Sequence, residues 1–391
     1  MLAESAMAQR FTIFIPGYYG SHLIDRTSGN LIWADAKEIA FGRQTLALDI
    51  PGLKIPNALN LEVHEIVEKV SVLKPFFAVS AYEPTMKMLR SLDAGEVHTI
   101  PYDWRKDPLQ AVHLLDRKIK HLQSLDPKAS IDLVSHSFGS VVAAYYLRYG
   151  TQDYFSAREN WEGLKHFRKI VLSAAPFRGT MALFRNVFKG LTRGFNNQLL
   201  SPLAFSSFES TPFLLPPPHR DLILDEQLKA IDLHLWEPST WWKNRWGLFQ
   251  ESLGFTEESY AARQEYVTHF CLRAKRFLEL IDAPLETAPS SKPFLYLRGT
   301  GNDTIDKGIW MRTASQPNVF LFYEPDFKKW KPQYHEKMVY GDGDQTVPAY
   351  SSILPQALGA LKPQVIETKF EHLAVLQNKA SINQVRNFLA N

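Results

Sequence analysis

The sequence has few of the features that mark secreted or membrane-spanning proteins. Cys271 is the only cysteine among 391 residues, so no intrachain disulfide can form, and we expect this thiol to be buried. No apolar run approaches the roughly 20 residues of a membrane span, and residues 1–10 contain no apolar run of signal-peptide length. These absences predict a cytoplasmic protein, with peripheral membrane contact as an alternative.

Signals for nucleic acid, metal or nucleotide cofactors are also missing. The net charge is only +3, which gives no reason to expect a nucleic acid as partner. The chain has no His-Glu-x-x-His motif and no cysteine pair, the commonest signatures of metal sites. Gly17 and Gly20 follow an apolar run but lack the third glycine of a dinucleotide-binding loop. We therefore expect a cofactor-free and metal-free mechanism.

Short apolar runs that end in Gly, Pro or Ser recur along the chain, a pattern typical of strands covered on both faces by helices. Helical periodicities separate several of these runs, notably over residues 84–92, 109–122 and 138–147. The alternation predicts an α/β fold with a doubly wound, mostly parallel sheet and with ligands beyond the carboxyl ends of its strands. The predicted strands cover residues 11–15, 97–100, 131–134, 170–173, 294–297, 338–340 and 365–370.

Two segments interrupt this alternation. Residues 34–80 contain several Pro and Gly turns around a short amphipathic stretch near 62–70, and they predict a lid-like, irregular excursion. Residues 181–290 separate two predicted strands, and they predict an inserted cap. The α/β core would then consist of residues 10–180 and 291–391. Four tryptophans of the cap are expected to pack inside it, with a lipid–water interface as the alternative: Trp236, Trp241, Trp242 and Trp246.

Ser137 lies where a predicted strand runs into a predicted helix, which is the layout of a nucleophile elbow. The tight turn requires small residues two positions before and two positions after the serine. Gly139 meets this requirement, whereas Ser135 replaces the usual leading glycine, so we expect some crowding at Ser135. His136 is expected to point away from the site because it flanks the nucleophile on the turn.

A serine nucleophile needs a histidine as base and a carboxylate that orients the histidine. Asp344 lies in a glycine-aspartate loop after a predicted strand, and His372 lies on a loop between a predicted strand and a predicted helix. The order Ser, Asp, His is that of α/β-hydrolases. Asp342 is the rival acid and His335 the rival base.

Stabilising the tetrahedral intermediate of acyl transfer takes two backbone amides that point at the developing oxyanion. We expect one from Phe138 and the other from the loop 16–21, where Tyr19 is favoured over Tyr18. Tyr18 and Phe177 are expected to line an apolar substrate cleft, with core packing as the alternative.

Several blocks of the sequence resemble the lecithin:cholesterol acyltransferase family. The resemblance implies an α/β-hydrolase fold with an inserted helical cap, lipid acyl esters as substrates, and the nucleophile, acid and base roles already assigned. It extends from about residue 11 to about residue 378 and is thin inside the cap. The disulfide-bound lid of the family's secreted members cannot form in this chain. The blocks are residues 14–23, 101–105, 135–139, 342–347 and 371–373.

Within one of these blocks, Asp103 and Arg105 are expected to form a structural ion pair, with support of the oxyanion loop as the alternative.

The predicted activity is serine-dependent acyl transfer through an acyl-enzyme. Water as acceptor would make the protein a lipase or phospholipase, and a bound alcohol would make it an O-acyltransferase. Two alternatives remain at this point: an esterase or thioesterase for small soluble esters, and a hydrolase fold used as a non-catalytic binding module.

Overall fold

The computed structural model describes residues 9–69, 82–92, 95–191, 196–217, 220–254, 256–313 and 318–391. The end of the predicted lid-like excursion, residues 70–80, lies outside these ranges. The strands are β1 (Arg10–Ile15), β2 (Ser21–Asp25), β3 (Leu31–Trp33), β4 (Leu61–Ile66), β5 (Glu96–Thr99), β6 (Ser130–Ser135), β7 (Phe167–Ser173), β8 (Ile223–Leu224), β9 (Phe294–Gly299), β10 (Asn302–Ile305), β11 (Gly308–Met311), β12 (Val319–Leu321), β13 (Tyr340–Gly343) and β14 (Gln364–Thr368).

The helices are α1 (Ala36–Phe41), α2 (Glu83–Arg90), α3 (Leu109–Leu125), α4 (Phe138–Tyr149), α5 (Glu162–Lys165), α6 (Met181–Lys189), α7 (Pro202–Ser207), α8 (Pro238–Lys243), α9 (Glu257–Asp282), α10 (Glu324–Trp330), α11 (Gln356–Gly359), α12 (Ala374–Gln377) and α13 (Lys379–Ala390). Single 3-10 turns cover residues 211–214, 247–249, 251–253 and 336–338.

The central sheet has six strands in the order β14-β9-β7-β6-β1-β5, and all its pairings are parallel. Alternate residues of β1 enter two different cores: Ile13 packs with α3 and α4, whereas Phe14 packs with α2 and α13. Helices therefore cover both faces, as a parallel sheet requires. The predicted α/β fold with a doubly wound sheet is confirmed.

The predicted strand at 338–340 does not belong to the central sheet, so that prediction was wrong. The extended segment is β13, which pairs antiparallel with β10. Val339, just before it, is buried in a separate apolar cluster with Ile309, Leu321 and Phe327. This small cluster buries the side chain of Val339, so the segment is buried without belonging to the central sheet.

The inserted region is tied to the segment that follows β9. Strand β8, within residues 181–290, pairs with β11, and β11 pairs with β12, so these three strands form one small sheet. Helices α6 to α9 lie in the cap. Trp236, Trp241 and Trp246 are buried, as the packing prediction requires, and Cys271 is buried too. The lipid–water interface was the wrong alternative for these three indoles.

The excursion over residues 34–69 is more regular than predicted. Strand β4 pairs antiparallel with β2, and β2 also pairs with β3, which gives a small sheet beside the first loop of the core. The amide of Leu46 donates to the carbonyl of Leu199, and the amide of Leu48 donates to Ser207 Oγ. The excursion therefore packs against the cap.

Candidate active site

Ser137 occupies a strained turn between β6 and α4. Its backbone has φ 54° and ψ −126°, a conformation that non-glycine residues rarely adopt. The turn is closely packed: a β-carbon on Gly139 would lie 2.3 Å from the carbonyl oxygen of Pro16, and one on Gly17 would lie 2.7 Å from Ser137 Cβ. Only glycine fits at these two positions, and the serine hydroxyl is held at the carboxyl end of the sheet.

His372 lies within hydrogen-bond distance of this serine, and Asp344 lies within hydrogen-bond distance of His372. His372 Nε2 is 2.8 Å from Ser137 Oγ, and His372 Nδ1 is 2.8 Å from Asp344 Oδ2. Asp344 is fully buried, and its other oxygen accepts the amides of Thr346 and Val347 at 3.1 and 2.7 Å. These bonds fix the carboxylate so that it accepts from the imidazole Nδ1–H, which leaves Nε2 to accept a proton from the serine.

The two rival residues lie elsewhere. Asp342 is exposed, and its Oδ1 accepts the amide of Gly301 at the edge of the β10–β13 pair. His335 is also exposed, at the start of the 3-10 turn before β13. The structure brings Ser137, Asp344 and His372 together and leaves both rivals on the surface.

Ser135 is accommodated without the crowding we expected. Its hydroxyl is fully buried and lies 2.9 Å from Ser140 Oγ and 3.3 Å from the carbonyl of Val171. Its φ is not positive, whereas that of Ser137 is. The Ser135 side chain therefore occupies a polar niche beneath the elbow, and of these two serines only Ser137 has a positive φ.

The loop after β1 lies against the nucleophile. The amide of Gly17 donates to Tyr82 Oη at 2.8 Å, and the amide of Gly20 donates to the carbonyl of Gly17 at 3.0 Å. The two amides between them, those of Tyr18 and Tyr19, are the loop's candidates for an oxyanion donor beside that of Phe138. Tyr19 has φ 66°, so the loop turns sharply at this point.

The two predicted pocket residues differ in their surroundings. Tyr18 is partly exposed, its ring lies 6.0 Å from that of Phe138, and its hydroxyl lies 3.3 Å from Ser210 Oγ of the cap. Burial raises the pKa of the Tyr18 phenol well above its usual value. Phe177 is completely buried, with its ring 6.0 Å from that of Tyr296. Phe177 thus packs in the core here, the alternative that the sequence left open, and Tyr18 faces the site.

Asp103 and Arg105 form a bidentate ion pair with N–O distances of 2.9 and 2.7 Å. The guanidinium is buried and also donates to the carbonyl of Leu46 in the excursion at 3.0 Å. The carbonyl of Arg105 accepts the amide of Ser210 in the cap. This geometry agrees with the structural role predicted for the pair, which joins the core to the excursion and the cap.

His136 does not point away from the site as expected. Its Nε2 lies 3.0 Å from the backbone carbonyl of His372, its ring lies 5.0 Å from the His372 ring, and its Nδ1 lies 2.9 Å from Tyr82 Oη. Burial, followed by the proximity of His372, lowers the pKa of His136 to about 3. Tyr82 was missed by the sequence analysis because a tyrosine at a helix start carries no pattern of its own.

With this geometry in place, comparisons with known proteins identify the family. A family model described as lecithin:cholesterol acyltransferase matches residues 32–261, more than half of the chain. The chain belongs to the lecithin:cholesterol acyltransferase family. The match spans the elbow of this lecithin:cholesterol acyltransferase family member and most of its cap, and it ends before Asp344 and His372.

One solved structure supports the fold. A chain of the Tle4-Tli4 complex superposes with a TM-score of 0.56 at 13% identity, and the alignment covers 98% of this family member and 97% of that chain. Lower similarity is found to the Bacillus licheniformis lipase BlEst2, with a TM-score of 0.35, 11% identity and coverage of 100% and 95%. The metagenomic carboxyl esterase MGS0156 has a TM-score of 0.35, 10% identity and coverage of 98% and 74%. A search of curated proteins gave no match.

The described residues of this family member contain neither a cluster of metal ligands nor a membrane-spanning helix. Within them, no group of three or more His, Cys, Asp and Glu side chains is arranged to hold a metal ion. No helix among them combines the length and the apolar composition needed to cross a bilayer.

Proposed function

We propose that this family member cleaves the acyl ester of a lipid through an acyl-enzyme formed on Ser137. The observation that carries the proposal is the continuous contact from Ser137 Oγ through His372 to Asp344, with both links at 2.8 Å. Membership of the lecithin:cholesterol acyltransferase family supports activity on lipid esters in general. The acid, the base and the nucleophile each have a defined partner.

In the proposed first half-reaction, His372 Nε2 takes the proton of the Ser137 hydroxyl as its oxygen attacks the ester carbonyl carbon. The negative charge that forms on the carbonyl oxygen is stabilised by the amide of Phe138 and by an amide of the loop after β1, for which Tyr19 and Tyr18 are the candidates. Asp344 stabilises the imidazolium. As the intermediate collapses, His372 gives its proton to the leaving alcohol oxygen, and the acyl group remains on Ser137.

In the second half-reaction an acceptor hydroxyl gives its proton to His372 and attacks the acyl-enzyme. As this second intermediate collapses, the bond between the acyl carbon and Ser137 Oγ breaks, and His372 returns the proton to Ser137 Oγ. Water as acceptor releases a fatty acid, and a bound alcohol yields a new ester. The family name favours transfer to an alcohol, which requires that the acceptor be positioned and that water be excluded. The contact between Tyr18 and Ser210 supports the cap as the element that encloses the acceptor, because it connects the cap to the rim of the site.

Aromatic side chains connect the loop after β1 to the cap. The Tyr18 ring lies 6.0 Å from that of Phe138, and Trp104 lies 4.9 Å from Tyr18 and 5.7 Å from Phe208 of the cap. Phe138, Trp104 and Phe208 are at most 1% exposed, so they pack as core, and the lipid assignment is supported by family membership instead. An esterase for small soluble esters is the second candidate.

A fluorophosphonate probe tests the nucleophile because it reacts only with an activated serine. We expect labelling of the wild type and none of Ser137→Ala. The matched control is Ser130→Ala, at the opposite end of β6, which should label like the wild type. Labelling that survives Ser137→Ala would contradict the assignment, and an unlabelled, correctly folded wild type would favour a non-catalytic binding module.

The substrate class is tested separately. Rates are measured on short-chain soluble esters and on phospholipid vesicles, each with and without a long-chain alcohol, and the products are separated into fatty acid and new ester. We expect faster turnover of the vesicles and ester formation when alcohol is present. Equal rates on monomeric and aggregated substrates would favour the soluble-ester alternative. Co-sedimentation with the same vesicles tests peripheral membrane contact.

A further inference from the structure

Behind the proposed triad, two buried side chains connect the loop after β1 to the loop that carries His372. Tyr82, just before α2, has its hydroxyl 2.8 Å from the amide nitrogen of Gly17 and 2.9 Å from His136 Nδ1. His136 Nε2 lies 3.0 Å from the carbonyl oxygen of His372. Both side chains are buried, with 0% of Tyr82 and 1% of His136 exposed. Neither of them has a role in the proton transfers described above.

The direction of each hydrogen bond follows from the chemistry of the partners. A carbonyl oxygen only accepts, so His136 Nε2 must carry a proton and donate to His372. A neutral imidazole with a proton on Nε2 accepts at Nδ1, so the Tyr82 hydroxyl donates there. The hydroxyl oxygen then accepts from the Gly17 amide, which can only donate. Burial lowers the pKa of His136 to about 3 and so keeps the ring neutral, and with a neutral ring this is the one arrangement that satisfies all three bonds.

The network contacts three parts of the proposed active site: the loop after β1, the elbow and the loop that carries His372. Gly17 is packed against the nucleophile, since a β-carbon on it would lie 3.2 Å from Ser137 Oγ, and it immediately precedes the candidate oxyanion amides. His136 is the residue before the nucleophile on the elbow. The carbonyl that it holds belongs to His372 itself, whose imidazole must stay aligned between Ser137 and Asp344.

We propose that Tyr82 and His136 are positioning residues that hold the oxyanion loop, the elbow and the catalytic histidine in register through one directed hydrogen-bond chain. The inference rests on the proposed function, because the relative positions of these three parts affect catalysis only if Ser137 and His372 act together. A neutral His136 also avoids placing a second cation beside the imidazolium that forms on His372. Misplacement of about 1 Å at such a site costs on the order of 100-fold in rate.

Two substitutions at position 136 separate positioning from simple packing. His136→Gln can keep a donor near the place of Nε2 but loses the acceptor for Tyr82, whereas His136→Asn keeps the acceptor and loses the donor to His372. We expect kcat on a chromogenic ester to fall on the order of 100-fold in His136→Asn, which releases the carbonyl of His372, and only about 10-fold in His136→Gln, which breaks the same bond to Tyr82 as Tyr82→Phe does. KM should be unchanged in both because neither atom touches substrate. Assays are run well below the melting temperature of each variant.

Tyr82→Phe removes a single oxygen atom and should lower kcat about 10-fold. If the chain acts as one unit, the double variant Tyr82→Phe with His136→Asn should be no worse than the larger single loss, within about threefold. If the losses in kcat of the two single variants multiply in the double variant, the proposal is overturned. Equal losses in kcat in His136→Gln and His136→Asn would also overturn it and would indicate packing effects alone.

Two further readouts distinguish failure of this inference from failure of the proposed function. If fluorophosphonate labels the wild type but labels His136→Asn at the same rate, the positioning role fails while the nucleophile assignment stands. Nitrogen NMR of the ring requires no activity: we expect the Nε2–H tautomer of His136 between pH 5 and 8. A proton on Nδ1 would overturn the network directly, whatever the enzyme does.

Discussion

His372 is joined to Asp344 twice. Its imidazole Nδ1 lies 2.8 Å from the carboxylate Oδ2, and its backbone amide donates to the backbone carbonyl of Asp344 at 2.8 Å. The second bond ties the loop that carries the histidine to the residue that orients it. Since Asp344 also accepts the amides of Thr346 and Val347, Asp344 and His372 form one hydrogen-bonded unit beside Ser137.

The first prediction concerns this unit. Asp344→Asn keeps the size of the side chain but removes the charge, and an amide group at Oδ2 would favour the wrong imidazole tautomer. We expect kcat to fall by about 10⁴ with little change in KM, the magnitude typical for loss of the orienting carboxylate of such a triad. Steady-state hydrolysis of a chromogenic ester measures it.

Asp342→Asn is the matched control, because Asp342 is exposed and its Oδ1 accepts a backbone amide that an asparagine oxygen can also accept. Its kcat should stay within about twofold of the wild type. A large loss in this variant together with a small one in Asp344→Asn would show that the acid had been assigned to the wrong residue.

Much of the fold and of this site can be predicted from the sequence because local patterns encode them. The apolar run 131–134, the turn at Ser137 and the helix after it lie within a single stretch of chain, and all three appear in the structure as β6, the elbow and α4. Ser137 and His372 follow β6 and β14 of the parallel sheet, whose carboxyl ends lie at one edge, whereas Asp344 follows β13 outside that sheet.

What could not be predicted depends on contacts between distant segments. The run 338–340 looks like any buried strand, but its partners are β10 and a separate apolar cluster, which no local pattern reveals. The crowding expected at Ser135 fails because Ser140 and the carbonyl of Val171 receive its hydroxyl. Tyr82 acquires its place beside Gly17 and His136 only through packing.

The second prediction tests how closely the loop after β1 approaches the nucleophile. Gly17→Ala introduces a β-carbon that would lie 2.7 Å from Ser137 Cβ and 3.2 Å from His136 Nδ1, distances at which the loop has to move. We expect kcat to fall on the order of 100-fold. Steady-state kinetics and the fluorophosphonate labelling rate should both report the loss.

Gly359→Ala provides the control for inserting a methyl group. Among the described residues no heavy atom lies within 4 Å of its added carbon, and the glycine belongs to α11. This variant should keep full activity and unfold at an equal or slightly higher temperature, since alanine favours helix by up to about 1 kcal/mol. Wild-type activity in Gly17→Ala would show that the loop accommodates a methyl group at position 17 without displacing Ser137.

The third prediction separates the two roles considered for Asp103 and Arg105. Asp103→Asn leaves a buried guanidinium without its carboxylate, so we expect the free energy of unfolding to fall by about 3 kcal/mol. Under conditions where the variant is folded, kcat should remain near that of the wild type. Loss of activity with unchanged stability would instead favour support of the oxyanion loop.

An exposed ion pair gives the comparison. Arg26 and Glu62 lie 3.1 Å apart with side chains 57% and 41% exposed, so Glu62→Gln should change the free energy of unfolding by less than about 0.5 kcal/mol. Denaturant unfolding of both variants measures the contrast. Equal effects would mean that burial of Arg105 contributes little to the cost of breaking its pair.

The fourth prediction follows from the lowered pKa of His136. In the folded protein the His136 imidazole has a pKa of about 3. In the unfolded chain it has its ordinary pKa of about 6.5. Between these values the unfolded state holds more protons, so the free energy of unfolding rises with pH. The contribution of neutral His136 to the free energy of unfolding is complete above pH 6.5. It is lost as the pH falls toward 3, by up to about 1.4 kcal/mol per pH unit.

Denaturant titrations of the wild type and His136→Gln at pH 7 and pH 5 measure this contribution. The wild type should lose about 2 kcal/mol more than the variant between the two pH values. The other buried or half-buried histidines with lowered pKa values, His22, His98 and His166, are present in both proteins, so their effects cancel in the comparison. Parallel pH profiles would mean that His136 can take up a proton in the folded protein, and the directed chain from Gly17 to His372 would then lose its basis.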